Sequence, residues 1–474
     1  MQPASQHFKQ RARIALKDIS LQSALGKLGE EGFVAKRAQV VAATPDFEAL
    51  REEGRRIKDE VLQHLDVYLE RYQQAVEHSG GVVHWARDAA EAREIVLRIC
   101  RRVGAKSVVR GKSMVGEEIG LPGALEAAGM EVVETDLGEY IVQLADEPPS
   151  HIIAPAIHKT RAEVSELFRA AHEKLGLHGP REEVADLVDE ARQVLRGKFF
   201  AADVGITGAN FLVAETGSGL IVTNEGNGDL SATLPRVHIV TAGIERVVPT
   251  LDDASTLLRL LARSATGQAC ETYTSLHTGP RWPGETDGPE EYHVVLVDNG
   301  RSRMLAGEFR EMLRCIRCGA CMNHCPVYGA VGGHAYGWVY PGPMGAVLTP
   351  LFVGLDQARD LPNACTLNGR CREVCPVKIP LNDLLSKLRT QQFEQGVAPW
   401  TIRWGVKAWA RLARHPRLYH LLTRVAAWGL RRLGRGRGRL RSLPLAGGWT
   451  GVRDLPVPQG ETFMQAWKQQ EGRG

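Results

Sequence analysis

The stretch CIRCGACMNHCP, Cys315 to Pro326, sets Cys315, Cys318, Cys321 and Cys325 at the spacing C-x2-C-x2-C-x3-C-P. This is the ferredoxin run, in which three thiolates hold one iron–sulfur cluster and the fourth reaches across to a second. Two-residue gaps let successive thiolates converge, and the Cys-Pro pair turns the chain away after the crossing ligand. Forty residues later ACTLNGRCREVCP (Ala364–Pro376) supplies Cys365, Cys371 and Cys375, again closed by proline. A structural zinc site pairs two C-x2-C knuckles and closes its shell with four ligands, which leaves the third cysteine and the x3-C-P step without a role. A disulfide framework suits small secreted chains rather than one of this length.

By the crossing rule the first cluster takes Cys315, Cys318, Cys321 and Cys375 and is complete. The second takes Cys325, Cys365 and Cys371 and lacks a fourth thiolate, because Asn368 stands where a full second run has cysteine. Two [4Fe-4S] clusters are the expectation. For the second, the spacing also admits a [3Fe-4S] cluster, a four-iron cluster with a water, asparagine or substrate ligand, or a labile cluster.

The chain has 474 residues, enough for two to four domains. Its 43% hydrophobic and 24% charged residues are ordinary for a globular protein, and a net charge of +4 says little about partners. Seven of the nine cysteines lie in the cluster stretch, a usage that fits a reducing cytosol. Cys100 and Cys270 read as buried small residues. MQPASQHFKQRARIALKD at the start has no apolar core of a signal peptide, and no run approaches the ~20 apolar residues of a membrane span. A cytoplasmic protein is expected.

Residues 1–79 read as a helical arm, with Leu50, Ile57, Val61, Leu65, Val67 and Leu69 at mostly helical spacing among charges. Residues 80–300 alternate strands and helices. GGVVHWA is a strand, followed by a helix with Asp88 as N-cap; KSVVRGKS, MEVVETD and HIIAPA are further strands. Helices are expected at LPGALEAAG, from Thr160 to Glu173 and from Glu182 to Arg196. HIVTAG and HVVLVDNG close the series near Gly300. That rhythm predicts a mostly parallel sheet with helices on its faces, and ligands in such sheets bind beyond the carboxyl ends of the strands. DVGITGANFLVAETGSGLIVTNEGNGDLS breaks the rhythm with glycine-rich turns around Glu215 and from Glu225 to Asp229. These turns read equally as a ligand pocket built from backbone amides, Asn224 and the acids, or as hairpin chemistry.

Residues 301–395 form the iron–sulfur domain. Between its cysteine runs, GAVGGHAYGWVYPGPMGAVLTPLF reads as a compact loop whose apolar part covers the clusters. His324 and His334 lie nearby as hydrogen-bonding neighbours, and His324 is placed to tune a cluster. Residues 396–474 form a basic helical tail: Thr401–Arg441 carries twelve Lys or Arg and no acid, interleaved with Trp400, Trp404, Trp409, Leu412 and Trp428. Such a helix suits an anionic membrane surface or an acidic partner. Nothing else in the chain resembles a nucleic-acid fold.

HIIAPAIHKTR and GITGANFLVAETGS, followed by CIRCGACMNHCPVY and CREVCPVKIPL, resemble the lactate-utilisation iron–sulfur protein B family. The resemblance runs from about Glu48 to RDLPVPQGETF (Arg453–Phe463). It implies an α/β lactate-utilisation domain related to ribose-phosphate isomerases and CoA transferases, then an α-helical two-cluster ferredoxin-type domain. It also implies two four-iron clusters and a three-protein bacterial complex that oxidises L-lactate to pyruvate without NAD. The implied partners are a cysteine-rich subunit like those of heterodisulfide reductases and a smaller lactate-utilisation-domain protein. Cys315, Cys318, Cys321, Cys325, Cys371 and Cys375 match the family's run. At position 368 the family pattern leads one to expect cysteine, and Cys365, a turn earlier, replaces it only if the loop shifts. The leading expectation is an electron-transfer subunit. The alternative is an acyl-transfer or isomerase enzyme using Glu215 or Glu225, with purely structural clusters. No dinucleotide fingerprint follows a strand, so flavin is not indicated.

Overall fold

β-Branched runs separated by amphipathic helices build the centre of the chain. The computed structural model describes residues 3–26, 32–176, 183–443, 447–451 and 453–471, and its packing separates into two units, Met1–Gln392 and Phe393–Gly474. The strands described in the first unit are β1 (Val82–Ala86), β2 (Ser107–Arg110), β3 (Glu131–Glu134), β4 (Val204–Gly208), β5 (Phe211–Val213), β6 (Ser218–Thr223), β7 (Val237–Gly243), β8 (Val247–Val248), β9 (Tyr273–His277) and β10 (Glu291–Val297). Six of them form one parallel sheet in the order β1-β10-β7-β4-β2-β3. In the middle of the sheet Val240 of β7 lies between Thr207 of β4 and Val294 of β10. β7 is buried along its whole length, as a strand covered by helices on both faces must be. The remaining four make a small second sheet, β8-β5-β6-β9.

Helix starts follow local chemistry. The Asp88 carboxylate accepts the N–H groups of Ala90 and Glu91, opening helix Ala89–Arg102. Thr160 and Glu163 cap each other's backbone N–H groups at the head of helix Arg161–His172. The face of Ala92, Ile95, Val96 and Ile99 packs on Val108, Val204 and Val295 of the sheet. Helices Phe47–Gln63 and Leu65–His78 are integral to the core: Leu50 and Ile57 join Met312, Leu313 and Val377, while Val61, Leu65, Leu69 and Tyr72 join Leu212 and Val294. Val67 of the same apolar series faces solvent.

Four expectations need correction. HIIAPA (His151–Ala156) forms no strand. Pro155 has no N–H for a ladder, and His151 Nδ1 takes the N–H groups of Ile153 and Ala154 at 3.0 and 3.1 Å, folding the segment into a turn. The segment between the cysteine runs is not simply a loop. It contains helices Pro326–Val331 and Gly342–Val353, the latter with Pro343 in its first turn and Pro350 inside it. Its buried apolar residues, Met344, Val347 and Leu348, hold it helical against propensity. The turn after Glu225 runs directly into helix Asn227–Thr233. Cys270 is exposed, whereas Cys100 is buried. Glu182, the expected start of a further helix, lies outside the described residues; the helix itself is Val184–Ala201.

The second unit holds helices Trp400–Ala413 and Pro416–Leu433, neither of which buries a side chain. No helix of the described residues is long and apolar enough to cross a membrane.

Candidate metal centre and adjoining cavity

The two cysteine runs take up similar local folds. Each places a glycine with positive φ, Gly319 or Gly369, ahead of a single helical turn, Ala320–Asn323 or Arg370–Glu373, that carries Cys321 or Cys371. The left-handed position lets the chain reverse between consecutive thiols, and glycine takes it at no steric cost. Arg317 adopts φ 60° between Cys315 and Cys318, and Leu367 adopts φ 57° after Cys365.

The seven thiols then sort by neighbourhood. Cys318 lies in the field of Cys375 and Cys315, and Cys321 in that of Cys318, Cys315 and Cys375. Cys325 neighbours Cys365, and Cys371 neighbours both. Cys321 is also within reach of Cys371, so the two groups adjoin. Backbone N–H groups aim at the sulfurs: Tyr328 at Cys325 (3.5 Å), Leu367 at Cys365 (3.3 Å) and Ile379 at Cys375 (3.3 Å). Burial pushes the thiols up, Cys375 to about 11 and Cys371 to about 12. Metal binding therefore has to release their protons. Among the described residues one trio of metal-binding side chains lies within 4.8 Å, Glu147, His158 and His334, and it includes no cysteine. Thiolates about 2.3 Å from one zinc ion stand at most ~4.6 Å apart. The wider spread of these sulfurs suits the larger body of an iron–sulfur cluster. A small cavity opens between Cys315, Cys318, Cys321 and Cys375, walled by apolar residues such as Ile152, Met312 and Leu381.

Asn368 is exposed, and its side-chain oxygen accepts the N–H of Arg370 at 3.2 Å. His324 Nδ1 contacts the Ala320 carbonyl at 2.9 Å, and His334 Nε2 donates to the Pro148 carbonyl at 2.7 Å.

Basic side chains that sequence reading did not single out surround the first group. Arg51 donates to the carbonyls of Cys375 (2.9 Å) and Glu373 (2.8 Å), and Arg37 to that of Val374 (3.0 Å). Both come from the N-terminal helices and clamp the second cysteine run. Lys58, wholly buried, donates to the Glu245 carbonyl at 2.6 Å, and burial lowers it to about 8. Burial opposes ionisation of Glu245, yet Arg301, Arg246 and Arg317 hold its carboxyl down at about 2. Arg301 also forms a two-pronged pair with Glu118 at 2.8 Å, and Tyr340, from between the cysteine runs, donates to the same carboxylate at 2.6 Å. That buried network fastens the cluster segment to the sheet.

A larger cavity of about 260 Å³ lies beyond the carboxyl ends of β2, β3, β4 and β7. Lys112, Asn210, Asn224, Glu225 and Arg246 give its polar wall and Ile221 and Leu261 its apolar one. It shares Ile152 and Arg317 with the cavity between the cysteines. Of the two glutamates expected as acids or bases, Glu225 lines this space and accepts the Leu137 N–H at 3.1 Å. Glu215 does not line it: at the β5–β6 turn, its carboxylate accepts the Leu251 N–H at 3.0 Å. Position in a conspicuous turn was a cue to both residues, but the two lie at opposite ends of β6, and only the Glu225 end opens on the cavity.

Three family profiles cover most of the chain: LUD domain over residues 69–297, 4Fe-4S dicluster domain over 311–379, and lactate utilisation protein B, C-terminal over 394–472. The chain is 42% identical over 466 residues to the uncharacterized electron transport protein YkgF of Escherichia coli K12, covering 98% of this chain and 97% of that one. It is 43% identical over 459 residues to lactate utilization protein B 1 of Bacillus mycoides, covering 97% and 95%. A crystal structure of a duf162 family protein from Deinococcus radiodurans, 13% identical, covers 49% of this chain and 98% of that one at a TM-score of 0.28; the fold rests on the strands above, not on that likeness. With the dicluster profile spanning all seven grouped cysteines and near-complete coverage of relatives above 40% identity, the chain belongs to the lactate utilization protein B family.

Proposed function

We propose that this protein is the iron–sulfur electron-transfer subunit of a complex that oxidises L-lactate to pyruvate. Its partners in that reading are a cysteine-rich, heterodisulfide-reductase-like subunit and a smaller lactate-utilisation-domain protein. The observation that carries the reading is the pair of adjoining thiol groups, joined through Cys321 and Cys371. Cys315, Cys318, Cys321 and Cys375 hold the first cluster. Cys325, Cys365 and Cys371 hold the second, whose corner at Asn368 has no protein thiolate. Each cluster, when bound, takes up or gives up one electron at a time.

The chain's own residues set the conditions. N–H groups of Tyr328, Leu367 and Ile379 donate to sulfur and stabilise added negative charge. Arg37, Arg51, Lys58 and Arg317 add positive field from residues held by backbone carbonyls or by Glu245. The basic helices after Pro399, with Trp404 and Trp409 exposed, support a further role as a peripheral contact on the anionic cytoplasmic face of a membrane.

Anaerobically purified protein tests the reading by visible absorbance and EPR before and after L-lactate, with and without both partners. Lactate-dependent bleaching that requires the partners is expected. Clusters that dithionite reduces and lactate never does, partners present, rule out the lactate assignment.

A further inference from the structure

Arg37 is a buried cation without an anion of its own. It lies on helix Phe33–Ala42 of the N-terminal arm and is 8% exposed. Its Nη2 donates to the Val374 carbonyl at 3.0 Å, its guanidinium stands 5.7 Å from the centre of the Phe47 ring, and its Nε is buried with no hydrogen-bond partner. Among the described residues no carboxylate pairs with it. Other arginines around the thiol groups each have one: Glu48 for Arg51, Glu245 for Arg317 and Glu373 for Arg370. Burial lowers the Arg37 pKa, Arg51 and Arg370 press in the same direction, and the groups that offset them are the thiols of Cys318 and Cys375. Taking a charge out of water is costly unless an opposite charge compensates it.

Both of those thiols belong to the first group, and four thiolates leave a cluster net negative in its oxidised and reduced forms alike. The helix that carries Arg37 is fitted closely there. Gly267 meets it at φ 77°, where a Cβ would stand 2.4 Å from the Lys36 carbonyl carbon. At the head of the helix the Phe33 and His151 rings lie 6.1 Å apart between centres, and His151 Nε2 contacts Asn323 Oδ1 at 2.9 Å. Asn323 shares its helical turn with Cys321. With the helix seated, the guanidinium is held beside the first thiol group.

We propose that Arg37 is the buried counter-ion of the first cluster, and that each electron accepted there tightens the docking of helix Phe33–Ala42. The guanidinium favours the reduced, more negative cluster and so raises the midpoint potential of the first cluster against that of the second. By reciprocity, reduction favours the state in which the guanidinium is seated. The N-terminal arm thereby responds to the charge on the first cluster. This inference rests on the reading above for the ligands of that cluster, and not on the identity of the electron donor.

EPR-monitored redox titration of the anaerobically purified full-length protein, with dithionite as reductant, measures the potentials. Arg37→Met, which keeps most of the apolar stem and removes the charge, is expected to shift the first cluster's equilibrium about tenfold toward its oxidised form, a fall of about 59 mV for a one-electron couple. The second cluster is expected to move by much less, and Arg37→Lys to stay near the parent. Hydrogen exchange of the parent protein measures the docking and needs no variant. Amides of helix Phe33–Ala42 are expected to exchange about tenfold more slowly in the reduced protein than in the oxidised, the same coupling read from the other side. Potentials of Arg37→Met that match the parent's, equal shifts of both clusters, or exchange from that helix indifferent to redox state each overturn the proposal. A parent protein without a four-iron signal overturns it together with the ligand assignment. Clusters that dithionite reduces and lactate never does, partners present, remove the lactate reading and leave these two results standing.

Discussion

On the proposed ligand assignment, Asn368 stands at the corner of the second cluster that has no thiolate. Its neighbours fold as those of the first run do, with Gly369 at φ 80° leading into one helical turn, so the backbone is already shaped for a cysteine there. The amide instead accepts the Arg370 N–H and is exposed. A metal corner without thiolate at an exposed position loses its iron readily to oxidants. Asn368→Cys is therefore expected to add one iron per chain and to abolish the EPR signal of an oxidised three-iron cluster after ferricyanide treatment. Iron content and EPR identical to those of the parent protein count against the assigned corner.

The turn Ser150–Ala156 does what a strand there could not. It brings His151 Nε2 to Asn323 Oδ1 at 2.9 Å, and Asn323 closes the helical turn that carries Cys321. Ser150 in turn packs against Gly333, where an added Cβ would stand 1.7 Å from the Ser150 carbonyl oxygen. With Nδ1 accepting two N–H groups and Nε2 donating, the imidazole is needed in its neutral form. Burial accordingly lowers its pKa to about 4. The unfolded chain takes up that proton near pH 6.5, so stability is present above 6.5 and is lost as pH falls toward 4, by about 3 kcal/mol in all. Urea midpoints measured from pH 7 to pH 4.5 are expected to fall more steeply in the parent than in His151→Asn. Parallel slopes would place the acid sensitivity elsewhere.

For the molecule as a whole, the N-terminal helices, the sheet and the cysteine runs form a single unit: the N-terminal helices pack both on the cysteine runs and on the sheet, and buried ions link all three. The tail is a second unit whose apolar residues, Trp404, Trp409, Leu421 and Trp428, remain exposed alongside its arginines. The full-length protein is expected to co-sediment with phosphatidylserine-containing vesicles at low salt, not with phosphatidylcholine alone. Raising the ionic strength to 1 M, where the screening length falls to about 3 Å, is expected to release it. Truncation after Glu394 is expected to abolish the effect; undiminished co-sedimentation of the truncated chain removes the membrane role.

Local spacing carried the iron–sulfur reading, because ligand convergence in C-x2-C-x2-C depends on a few neighbouring residues and on the glycine that reverses the chain. It carried most of the sheet as well, since apolar strands and capped helices are determined within ten or fifteen residues. HIIAPA escaped it, because an apolar run says nothing of whether a histidine will capture the N–H groups a strand needs. The positions of Arg37, Arg51, Arg246 and Arg317 were also invisible in one dimension. An arginine reads as solvated until distant elements bury it, and here residues more than three hundred positions apart close around Cys375. Which loops share a cavity, and that this cavity adjoins the first thiol group, followed from sheet order and long-range packing, which fix distances that no spacing along the chain encodes.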